Sequence, residues 1–148
     1  MIAQILLSTD FSPASWNAAK IGMEIARANK AILKILHVMP TKSKFSHGKH
    51  ASLLPKAIED VKHRMNDISS GMNGENGINV ENIVIPGNIE DTMSEYIAEN
   101  SLDLIIMGVN SNGVNNEIGS HTLNMIENSG VPILIVPNRA SSNGVKAG

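Results

Sequence analysis

Five short runs rich in Ile, Leu and Val, each followed by a longer segment with helical spacing, constrain this chain more than any other feature. The runs are residues 2–8, 31–38, 80–85, 102–107 and 132–136. Near-continuous apolar strands are what a parallel sheet requires when helices cover both of its faces. The intervening segments read as those helices. Behind Pro13, the residues Ala18, Ala19, Gly22 and Ala26 share a face with Ile25. Leu54, Ile58, Val61, Met65, Ile68 and Met72 form a second stripe, closed by turn glycines Gly71, Gly74 and Gly77. Ile89, Met93 and Ile97 make a third stripe, and Leu123 and Ile126 contribute to a fourth. All of these are expected in the core. The alternation implies an α/β fold, a doubly wound open parallel five-stranded sheet, in one domain over residues 1–137. Two segments lie outside the pattern. Residues 41–50, polar with three lysines, read as a mobile loop, and the Ser/Asn/Gly-rich residues 138–148 as a flexible tail.

Composition narrows the function classes. An apolar fraction of 42% supplies the core, and with only 3% aromatics that core rests on aliphatic side chains. The net charge of −2 gives no electrostatic case for nucleic acid or an acidic membrane as partner. Cysteine is absent, which removes disulfides, thiolate metal sites and thiol catalysis. No apolar stretch approaches the roughly 20 residues that span a bilayer. The first run is of strand length, without a basic stretch before it, so the expected location is cytoplasmic.

In open α/β sheets the ligand crevice lies beyond the carboxyl ends of the strands, where the strand order reverses. That rule nominates Thr9 and Asp10 after the first strand, Val38 and Met39 at the end of the second, and residues 108–122 after the fourth. Asp10 is the acidic side chain at the top of the first strand, able to accept from a sugar hydroxyl or a base amine. It also fits a turn residue, since Ser12 and Pro13 read as the N-cap and first position of a helix. After the fourth strand, Gly108 reads as leaving the sheet and Gly119-Ser120 as opening the next helix. Amides at such a helix start, joined by the Ser120 and Thr122 hydroxyls, suit a phosphate. An ordinary glycine-rich surface loop with a serine cap reads the same way.

These residues resemble a known family. Ser8-Thr9-Asp10-Phe11-Ser12, Leu36-His37-Val38 and Asp103-Leu104-Ile105-Ile106-Met107-Gly108 look like the corresponding segments of the universal stress proteins. So do Gly119-Ser120-His121-Thr122 and the run from Val131 to Pro137. The resemblance implies strand order 3-2-1-4-5 and a homodimer paired through the last strand, between Pro132 and Val136. It further implies a stress-response protein binding ATP or another adenine nucleotide, with or without Mg²⁺. Asp10 and Val38 would hold the adenosine end, and Gly108, Gly119, Ser120 and Thr122 would surround the ribose and phosphates. Ser8, Thr9, Met107, Asn110, Ser111, Gly113 and His121 complete the expected nucleotide site. The chain departs from the family loop G-x2-G-x9-G-[ST] in two places. Ser111 stands at the second glycine, and seven residues rather than nine separate it from Gly119.

Other classes fit less well. A phosphoryl-accepting receiver domain needs an aspartate ending strand three and a lysine ending strand five, where this chain has Pro86-Gly87 and Pro137. A flavin carrier needs aromatics beside the ring, and the chain has one Trp and one Tyr. For a hydrolase, Gly-x-Ser-x-Gly is missing and the histidines form no triad. His37 reads as a packed core residue, His121 as near the mouth of the crevice, and His47 with His50 as a solvated loop pair. The expectation is a non-enzymatic binding switch, the alternative a nucleotide-free dimeric scaffold of the same fold.

Overall fold

The computed structural model describes residues 1–40, 54–70, 77–110 and 127–138. Its elements run β1 (Gln4–Ser8), α1 (Pro13–Asn29), β2 (Ile32–Met39), α2 (Leu54–Ser69), β3 (Asn79–Pro86), α3 (Ile89–Glu99), β4 (Leu104–Asn110) and β5 (Ile133–Asn138). The five strands form one parallel sheet in the order β3-β2-β1-β4-β5, as the resemblance implied. The order reverses between β1 and β4.

Strand alternation divides the core into two layers. Ile5, Leu7, Leu33, Ile35 and Ile106 point to one side, where they meet Ala18, Ala19 and Ala26 of α1 and Met65 of α2. Leu6, Leu36, Val38, Ile105 and Met107 point to the other, against Met93 and Ile97 of α3. The small residues of α1 let its axis lie close to the sheet, and Ala18 and Ala26 are almost wholly buried.

Local signals explain where the helices begin and stop. Ser12 caps α1 by accepting from the Ser15 amide at 3.3 Å, with Pro13 in the first turn. Lys30 closes it in the left-handed conformation, its amide donating to the Ala26 and Arg27 carbonyls. Asn88 caps α3 by accepting from the Asp91 amide at 3.0 Å.

Two expectations require correction. Gly108 does not leave the sheet, because β4 continues to Asn110. The continuation is sustained by β5, which pairs Gly108 with Val136, Val109 with Pro137 and Asn110 with Asn138. For the same reason β5 runs past Val136, and Asn138 belongs to the strand rather than the tail. The expected loop at 41–50, the turn glycines Gly71 and Gly74, and the tail beyond Asn138 lie outside the described residues.

Candidate functional site

The chain leaves β1 through Thr9, whose every polar atom is engaged. Its amide donates to the Leu36 carbonyl at 2.9 Å, and its carbonyl accepts from His37 Nδ1 at 2.9 Å. Its hydroxyl donates to Ser15 Oγ at 3.0 Å and accepts the Phe11 amide at 3.1 Å. The Ser15 hydroxyl passes the chain on to the Ser12 carbonyl at 2.9 Å. This network welds the top of β1 to the first turn of α1. A carbonyl oxygen can only accept, so His37 Nδ1 is the donor in this bond.

Asp10 lies next, with an exposed side chain whose Oδ1 accepts the Ser12 amide at 2.9 Å. Partial burial acts to raise its pKa. Hydrogen bonds from the Ser12 side chain, the Ser12 and Asp10 amides and the Ser15 side chain outweigh that, and the carboxyl is held below its ordinary value. Asp10 is therefore an anion and an acceptor at neutral pH.

Ser8, Thr9, Asp10, Ser15, His37, Val38, Ile89, Met107 and Gly108 line one crevice at the carboxyl ends of β1, β2 and β4. It encloses about 530 Å³ counting its open mouth. Val38 and Met107 are 7% exposed each and form an apolar floor, Met107 opposite Ser8 in the β1–β4 register and Val38 two residues past Leu36, the partner of Ser8 on β2. A second hollow, behind Thr9 between Phe11, Trp16 and Met65, has room for little more than a water molecule.

Of the residues nominated from sequence, Ser8, Thr9, Asp10, Val38, Met107 and Gly108 come together here. Asn110 stands two residues beyond Gly108, in the ladder with Asn138. Ser111, Gly113, Gly119, Ser120, His121 and Thr122 lie outside the described residues. Met39 is buried in the opposite layer and does not line the crevice.

Three lining residues were not nominated. Ser15 is buried and reaches the crevice through the Thr9 bond. His37, expected in the packed core, is half-buried, because the strand end at β2 turns its ring toward the Thr9 carbonyl and the Phe11 ring. Ile89, expected in the core stripe of α3, is 37% exposed while Met93 and Ile97 are buried. Its position directly after β3, at the strand-end edge of the sheet, was the available signal. Among the described residues no group of three His, Asp or Glu side chains converges to hold a metal ion. No helix of the described residues is long and apolar enough to cross a membrane.

The chain is similar in fold to several solved proteins. It shares 27% identity with the hypothetical protein MJ0577, at TM-score 0.71, with 95% of this chain and 99% of that chain covered. A universal stress protein solved in complex with cAMP is 22% identical at TM-score 0.63, covering 92% of this chain and 97% of the other. An Arabidopsis thaliana universal stress protein family protein with AMP bound is 14% identical at TM-score 0.62, covering 93% of each chain. No curated protein matches the chain in sequence. The model of the universal stress protein family matches residues 1–137, the whole of the sheet but its last residue, and the chain therefore belongs to that family.

Proposed function

We propose that this protein binds an adenine nucleotide in the crevice and acts in stress response as a binding switch rather than as a catalyst. The observation that carries the reading is the pairing of the apolar floor, Val38 and Met107, with the ionised acceptor Asp10 at the reversal point of the sheet. A flat base suits the floor, and a base amine or sugar hydroxyl suits the carboxylate. Two proteins of the same fold, solved with cAMP and with AMP, support the choice of ligand. The phosphate end is assigned to Gly119, Ser120 and Thr122 on the family resemblance. Among the described residues Asp10 is the single carboxylate lining the crevice, so a Mg²⁺ ion would arrive on the phosphates of ATP. The proposed setting is cytoplasmic, and the proposed assembly is a homodimer through β5.

The alternative is a nucleotide-free dimeric scaffold. It is favoured by one observation, that Asp10 Oδ1 already accepts the Ser12 amide as a turn residue would.

Calorimetric titration with AMP, cAMP and Mg-ATP separates the two. The expected result is saturable binding of at least one, weakened about tenfold or more by Asp10→Ala, the loss of a hydrogen bond to a charged group. Absence of binding by all three would overturn the nucleotide reading and leave the scaffold.

A further inference from the structure

An isoleucine at the start of a helix stripe belongs in the core, yet Ile89 is 37% exposed beside Met93 at 1%. The connection from β3 to α3 explains why. The Gly87 amide donates to the Met39 carbonyl at 2.9 Å, tying the end of β3 to β2. Gly87 has φ +152, and a Cβ there would lie 2.6 Å from Thr92 Oγ1, so a side chain would open the turn. Asn88 caps α3 at once. Only two residues thus separate the strand from the helix, and Ile89 is left at the edge of the sheet rather than above its centre.

That edge is the crevice. Val38 and Met107 reach it from the sheet and Ile89 from the helical layer, so apolar surface borders the same space from two layers. The charges beside Ile89 are Glu90 and Asp91, both exposed in the first turn of α3. They suit the positive end of the helix and repel a phosphate. Asp10, across the crevice, is also an anion. An apolar wall bordered by carboxylates accepts an uncharged ring, not a phosphoryl group.

We infer that Ile89 is a specificity-determining residue that contacts the face of the bound base, so that the base occupies the α3 side of the crevice and the phosphates point away from it. This rests on the nucleotide reading of the site. The affinity that Ile89 supplies belongs to the base alone.

The test is titration of adenosine, AMP and ribose 5-phosphate into the wild-type protein, Ile89→Ala and Ile89→Met. The expected result is a loss of about fivefold for adenosine and AMP alike in Ile89→Ala, the scale of a few lost methyl contacts. Ile89→Met restores most of it, and ribose 5-phosphate, however weakly held, is unaffected. An equal loss for ribose 5-phosphate overturns the inference. So does unchanged binding of adenosine and AMP in Ile89→Ala when Asp10→Ala weakens both, and in that case the nucleotide reading stands. A wild-type protein that binds neither adenosine nor AMP removes the inference, and the nucleotide reading falls with it only if cAMP and Mg-ATP also fail to bind.

Discussion

Gly108 on β4 and Ala14 on α1 pack backbone against backbone. A Cβ on Gly108 would collide with the Ala14 carbonyl oxygen and lie 2.5 Å from its carbon and 3.0 Å from the Ser15 nitrogen. Glycine here lets the first turn of α1 rest on the sheet, which brings Ser15 to the crevice. Gly108→Ala is expected to cost about 3 kcal/mol, the upper part of the usual range for overpacking, because backbone atoms cannot rotate away. Urea denaturation measures it. An unchanged midpoint would show that α1 can lift off β4 freely.

Phe11 holds a left-handed backbone, φ +66, unusual for a bulky residue. Its ring lies 4.7 Å from the His37 ring and beneath the Arg64 guanidinium at 4.2 Å. Those contacts offset a conformational cost of about 1–2 kcal/mol. Phe11→Ala loses the contacts and keeps the cost, whereas Phe11→Gly loses both. The glycine variant should therefore be the more stable of the two by about 1 kcal/mol in thermal or chemical unfolding. An alanine variant of equal or greater stability would show that the strain is not retained.

Asp103 closes the opposite end of the sheet. Its Oδ2 accepts the Ala3 amide at 2.9 Å and the Gln4 amide at 3.0 Å. These bonds, aided by the positive amino terminus, hold its pKa below the ordinary value. A carboxyl depressed in the folded state contributes stability above its unfolded pKa and loses it as pH falls through the folded value. The stability gap between wild type and Asp103→Ala should be full at pH 7 and begin to shrink below about pH 4. Denaturation series at several pH values test this, and a gap that widens in acid would reverse the sign.

β5 is an outer strand with Leu134 37% exposed. An apolar edge of this kind invites pairing with a second copy. Sedimentation is expected to show a dimer, and Leu134→Lys to shift it toward monomer by placing like charges on the edge. A wild-type monomer at tens of micromolar would remove the β5 interface.

Much of the fold was legible because its signals are local. The aliphatic runs around Leu6, Ile35 and Ile106 mark buried strands, and the Ser12-Pro13 pair marks the start of α1. The crevice was legible in part, since Asp10, Val38 and Met107 follow from the rule that ligands sit at strand ends. His37 and Ile89 were not, because the same apolar spacing that predicts burial within an element holds right up to its ends. Whether an end is covered depends on what lies beyond it.

Local signals were enough for the five strands, the helices α1, α2 and α3, the Ser12 cap of α1, and the family. These depend on hydrophobic period and on side chains within a few residues of one another. Tertiary structure decided that β4 runs through Gly108, that His37 bonds to Thr9, and that Ile89 borders the crevice. Each depends on partners from distant parts of the chain (β5, the top of β1, the tight turn after β3), and their approach is set by packing rather than by any local pattern.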